Sequence, residues 1–173
     1  MYLERKSIAL IVMAIIFTLS FFTWAGARIV KAHLFNVECK QYIKRAADAN
    51  TVELAKEELS KAISYADEKG LTNGVVSIFL HQPKNDLSYW YRNMEEAFQE
   101  LENLPKDTSP LEKTNVLMKL RESLTDEKKD GLSVTIPDGI SIYPYNAQFF
   151  WWGLLSFLIA VMLWMLVAYN SYY

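Results

Sequence analysis

Two uninterrupted apolar runs stand at opposite ends of this chain. They are SIALIVMAIIFTLSFFTWAGA from Ser7 to Ala27 and FFWWGLLSFLIAVMLWMLVAY from Phe149 to Tyr169. Neither holds a charged residue, and each reaches the ~20 residues that a helix rising ~1.5 Å per residue needs to cross ~30 Å of hydrocarbon. Between them lies a polar stretch with no such run. The expected fold class is therefore an all-α membrane protein, with two transmembrane helices flanking an up-down bundle of about four helices. A small β-hairpin is expected before the second span. The expected divisions are a tail over residues 1–6, a first span over 7–27, a bundle over 28–130, a juxtamembrane hairpin over 131–147, a second span over 148–169 and a tail over 170–173.

Residues 31–147 carry 15 of the 18 Lys/Arg and 19 of the 20 Asp/Glu, a formal charge of −4 for the water-facing part. An acidic domain without a basic block argues against nucleic acid as a partner and against broad docking on anionic headgroups. Cys39 is the only cysteine, so no intrachain disulfide forms and packing alone must hold the domain. No Asn-x-Ser/Thr glycosylation sequon occurs.

Orientation draws on opposing signals. Arg5 and Lys6 precede the first run, whereas Arg28, Lys31, Lys40, Lys44 and Arg45 follow it. Counted directly, these charges favour a cytoplasmic loop, but the rule weakens for loops longer than ~60 residues. The short basic start before an apolar stretch fits a signal anchor, and the expectation is a two-pass protein of a bacterial inner membrane with its domain outside the cytoplasm. Tyr143, Tyr145, Trp151, Trp152, Trp164, Tyr169, Tyr172 and Tyr173 fit interfacial belts at the two ends of the second span. A rival reading takes Ala25-Gly26-Ala27 as the end of a cleaved signal peptide. Against it, the apolar core from Ser7 to Trp24 exceeds the usual 7–15 residues.

The polar stretch reads as helices. From Arg28 to Asn50 there is no Gly or Pro, so the first span should continue as one long helix with Phe35, Cys39, Tyr42 and Ala46 along one face. Asn50 with Glu53 offers a capping pair for a second helix, with Val52, Ala55, Leu59, Ala62, Ile63 and Ala66 on its stripe and Gly70 at its end. Leu71–Lys84 reads either as a short helix or as a buried extended piece. Asp86 opens a helix carrying Leu87, Trp90, Tyr91, Met94, Ala97, Phe98, Leu101 and Leu104. Ser109-Pro110-Leu111-Glu112 supplies cap, first-turn proline and capping-box glutamate for the last one, whose core face holds Leu117, Leu120 and Leu124. The expected core is Leu59, Ile63, Trp90, Met94, Phe98, Leu101, Leu117, Leu120 and Leu124. Leu132–Ile136 and Ile140–Ile142 alternate in polarity around Pro137-Asp138-Gly139, which predicts a hairpin with its turn there.

No catalytic constellation emerges. His33 and His81 belong to no metal-binding spacing, and Cys39 is six positions from His33, off its helical face. Glu57/Glu58 and Glu95/Glu96 read as solvated surface, since adjacent acids on a helix point apart. Cys39 reads as a small buried hydrophobe. The expectation is a protein that is not an enzyme and carries no cofactor or metal. Tyr89-Trp90-Tyr91-Arg92 weighs more: four consecutive helical positions cannot all face one core, and Tyr, Trp and Arg are the side chains that anchor interfaces. Tyr89 and Arg92 are expected outside, with Trp90 supporting them. In the spans, Ala14-x-x-x-Thr18 and Ser156-x-x-x-Ala160 permit close helix approach, and no ionisable residue marks a transport path.

These features point to an accessory or scaffold subunit whose domain binds another membrane or extracytoplasmic protein; a homo-oligomer is also compatible with the sequence. The arrangement is similar to the bundle sensors of bacterial chemoreceptors, in which two spans flank an extracytoplasmic helical domain. That likeness rests on arrangement, with no motif behind it, and implies a ligand sensor. Only four residues follow Tyr169, so the expectation is that any signal passes through a partner protein.

Overall fold

The computed structural model describes residues 2–128 and 131–172, with side chains placed for 8–127 and 131–171. The elements in order are α1 (Tyr2–Phe35), a π-helical turn (Asn36–Lys40), α2 (Gln41–Ala47), α3 (Val52–Glu68), a 3-10 turn (Pro83–Asn85), α4 (Leu87–Glu102), α5 (Pro110–Leu124), β1 (Thr125–Lys128), β2 (Gly131–Val134), a 3-10 turn (Ile140–Ile142) and α6 (Asn146–Tyr172). The chain is mostly helical, and its contacts divide it into two compact units: Met1–Lys31 with Tyr145–Tyr173, and Ala32–Pro144.

The first unit pairs the start of α1 with α6. Both helices are long and apolar enough to cross a membrane, and only 6% and 22% of their most apolar windows are covered by protein. Small side chains set the covered seam. Ala14 on α1 and Gly153, Ser156, Ala160 and Leu163 on α6 are buried, a spacing of three or four residues that keeps one face of α6 inward. Gly153 is where the Trp24 indole lies, and a Cβ there would run into the ring. Hydroxyls and indoles complete the seam. Ser20 Oγ and Ser156 Oγ are 3.1 Å apart, Trp152 Nε1 donates to Ser20 Oγ at 3.0 Å and Trp164 Nε1 donates to Thr18 Oγ1 at 3.1 Å. Trp24 Nε1 donates to the Phe149 carbonyl at 2.7 Å. Trp24, Trp152 and Trp164 thus spend their indole N–H groups on the partner helix. Tyr172's side chain and Tyr173 lie outside the described residues.

The second unit is a helical bundle. α2 packs on α3 and α5, α3 on α4, and α4 on α5. Phe35, Cys39, Ile43, Ala46 and Ala47 form the buried face that leads into it. Tyr42, expected on that face, is only half-buried, and Ile43 takes its place, because the π turn holds one residue more than an α turn and rotates the side chains after it. The α3 cap is Thr51 rather than Asn50: Thr51 Oγ1 accepts the Leu54 amide at 3.2 Å. Gly70, at φ +66°, ends the helix as expected. The α4 and α5 caps are Asp86 and Ser109, as the sequence indicates, with Ser109 Oγ accepting the Glu112 amide at 3.2 Å.

Of the expected core, Leu59, Trp90, Met94, Leu101, Leu120 and Leu124 are buried. Ile63, Phe98 and Leu117 are half-buried and pack against it. Leu71–Lys84 forms no α-helix and no regular strand, and its last two residues enter the 3-10 turn. Leu71 and Val76 are buried, Val75 bridges to Asp86, and Phe79 and Leu80 are exposed. Tyr143 donates its hydroxyl to the Asn73 carbonyl at 3.0 Å and occupies the space a Cβ on Gly74 would need.

The hairpin is displaced from its expected place. β1 pairs antiparallel with β2, Thr125 opposite Val134 and Lys128 opposite Gly131; residues 129–130 lie outside the described residues. Ile140–Ile142 forms a 3-10 turn after Gly139 at φ +87°, so Pro137-Asp138-Gly139 turns the chain without pairing two strands. The physical reason lies in the anchor points: Thr135 donates its amide to the Leu124 carbonyl at 3.0 Å and gives its own carbonyl to the Trp90 indole. Those bonds fix the segment after β2 against the α5 end rather than against Ile140.

Candidate functional site: an acidic groove beside Trp90

Asp86 Oδ1 accepts the Ser88 and Tyr89 amides at 2.8 and 3.3 Å, which sets the first turn of α4 and the directions of the next side chains. Trp90 turns inward, 6% exposed, and its Nε1 donates to the Thr135 carbonyl at 3.1 Å. One turn on, Asn93 Nδ2 donates to the Ser123 carbonyl at 2.9 Å. These two bonds hold α4 at a fixed distance from the end of α5 and from the segment after β2. The space left between the three is an open groove of about 890 Å³.

Trp90, Met94 and Leu124 contribute its buried apolar surface, and Tyr89, 62% exposed, stands at its edge. Asp86, Glu122, Asp126 and Asp138 line it, with Lys84 as the one cation among the lining residues. Lys84 Nζ is 3.7 Å from Asp138 Oδ2, an exposed pair of little energetic weight. Of the sequence-derived site residues, Tyr89 and Trp90 therefore meet at one groove. Arg92 is exposed and sits 3.7 Å from Glu96, one turn along α4, and does not line it. Sequence reasoning missed Glu122, Asp126 and Asp138 because they come from three separate segments.

The remaining chemistry-bearing residues separate from this groove. His33 and His81 are exposed. Among the described residues, no group of three His, Cys, Asp or Glu could hold a metal ion. Cys39 is fully buried, its Sγ 3.9 Å from the Ala62 carbonyl, and burial pushes the thiol up to about 12. Glu57 is solvated as expected, but Glu58 is 1% exposed and corrects the reading of that pair as surface. Its Oε1 lies 3.0 Å from Arg45 Nη2 and 3.1 Å from Lys61 Nζ, which compensates a buried carboxylate that would otherwise be costly. Glu58 borders a second, polar opening of about 520 Å³ between α2 and α3, with Gln41, Lys44, Arg45 and Asp48.

No protein-family model, curated protein or solved structure matches the chain.

Proposed function

We propose that this is a two-span membrane protein, placed in a bacterial inner membrane with its helical unit outside the cytoplasm, that binds another protein as an accessory or scaffold subunit. The observation that carries the reading is the groove beside Trp90. A tryptophan of the core, held by its indole hydrogen bond, lies beneath it, and the Tyr89 ring stands exposed at its edge with no part in closing that core. The two apolar helices support a membrane address, because their outward side chains are left to be covered by something other than this chain. Arg92, exposed on α4 outside the groove, is a secondary contact. The role is one of binding, without catalysis or a cofactor.

The test is a photo-crosslinker at position 89 in native membranes, with co-purification of the captured protein. Tyr89→Ala is expected to lose the partner and Arg92→Ala to weaken it less. Retention of every wild-type partner by Tyr89→Ala at unchanged helical content overturns the reading. A second reading, an extracytoplasmic ligand sensor that signals through a partner, is favoured by the polar opening around Arg45 and Glu58.

A further inference from the structure

The groove also has a charge, and the charge is not spread over the unit. Residues 31–82 carry seven acidic and seven basic side chains, whereas residues 83–147 carry twelve acidic and eight basic. The whole excess of the polar stretch therefore falls in the part that builds the groove. Four carboxylates line it against a single ammonium. Beside them, the exposed Tyr89 ring and the half-buried Ile136 offer apolar surface, over an enclosed base of Trp90, Met94 and Leu124 that is fixed by hydrogen bonds from the Trp90 and Asn93 side chains.

From these observations we infer that the occupant of the groove is a polypeptide segment that alternates Lys or Arg with apolar side chains. This rests on the reading of the groove as a docking surface. The acidic rim attracts cations and steers them, and Tyr89 and Ile136 reward burial of apolar surface in the same place. A polyamine satisfies the rim and leaves the apolar lining wet. Nucleic acid and anionic lipid are repelled by the rim. A neutral apolar helix covers the apolar lining but brings no cation to Glu122 and Asp126, and burying those carboxylates without one is costly. Only a segment with both characters satisfies the whole surface.

The experiment uses the full chain in phosphatidylcholine nanodiscs, whose neutral headgroups do not attract a cationic peptide, with empty nanodiscs as control. Three labelled peptides are compared by fluorescence anisotropy: one alternating Lys and Leu, one with Glu for Lys, and one with Ser for Leu. The Lys–Leu peptide is expected to bind at least about tenfold more tightly than either of the others, and to weaken as salt rises. Glu122→Lys with Asp126→Lys is expected to weaken it by about tenfold or more, and Tyr89→Ala by a smaller factor. Both acids are exposed; should the pair disturb the far-ultraviolet spectrum, Asp138→Lys replaces it. Equal binding of the Lys–Ser peptide, or indifference to charge reversal, overturns the inference. A protein captured from position 89 that binds through a neutral or acidic segment also overturns it, while leaving the docking reading intact. Retention of every wild-type partner by Tyr89→Ala sinks the docking reading itself.

Discussion

At the scale of the residue, Cys39 and Tyr91 make the sharpest predictions. Cys39 is enclosed by the α1–α2 face and α3, and its raised pKa comes from removal of its thiolate from water. A thiol reagent at pH 8 is expected to leave it unmodified in the folded protein and to titrate one thiol after guanidinium is added. Reaction in the folded state at the rate of a free thiol would contradict the burial. Tyr91 donates its hydroxyl to Asp67 Oδ1 at 2.5 Å, and burial, then that bond, then Glu95 raise its pKa above the ordinary 10. A group whose pKa is raised by folding contributes stability that is complete below its unfolded value and is lost as pH climbs toward the folded one. Thermal stability is therefore expected to fall above pH 10, and Tyr91→Phe is expected to flatten that fall. The sequence made Cys39's burial legible through its place on an apolar stripe. It hid Glu58, because only the fold brings Arg45 from α2 to cover a carboxylate that reads as surface.

At the scale of the element, packing separates residues that the helical pattern treats alike. Leu59 is fully enclosed, so Leu59→Ala is expected to cost ~2–5 kcal/mol. Phe98 is half-buried beneath Lys56, whose Nζ is 5.9 Å from the ring centre, and Phe98→Ala is expected to cost less than Leu59→Ala. Thermal or urea unfolding monitored by circular dichroism compares the two, and a reversed order would mean the α3 stripe is not the centre of the core. In the apolar pair, the two seryl oxygens at 3.1 Å place Ser20 and Ser156 within reach of a crosslink. Ser20→Cys with Ser156→Cys, in a Cys39→Ala background, is expected to oxidise readily within one chain. Adding Gly153→Leu is expected to abolish that product by filling the space of the Trp24 ring. Element ends were legible wherever a cap carried its own chemistry, as at Asp86 and Ser109. The hairpin was not: Thr125–Lys128 is a polar run with no alternation, and its pairing with Gly131–Val134 is what makes it a strand. Nor was the groove, whose walls are assembled from segments far apart in the sequence, around Asp86, Glu122 and Asp138.

For the whole molecule, the question is which side of a membrane receives the helical unit. Asp138 is highly exposed in the turn after β2, so a cysteine there, in the same Cys39→Ala background, reports the compartment of its unit. An impermeant maleimide is expected to label it in intact cells. Labelling only after lysis would put the groove in the cytoplasm and its partner with it.

A chain that carries a π turn at Asn36–Lys40 is one residue longer there than a regular helix needs. A bulge of this kind absorbs its extra residue locally, and the helical phase on either side survives. Loss of one residue from this turn, such as the exposed Val37, converts it to a regular α turn and leaves both flanks in step. The same loss within α3 or α4 would rotate every later side chain of the helix by ~100° and bring its solvated face onto the core. A one-residue deletion is thus expected to be tolerated at Asn36–Lys40 and to unfold the bundle one helix further on.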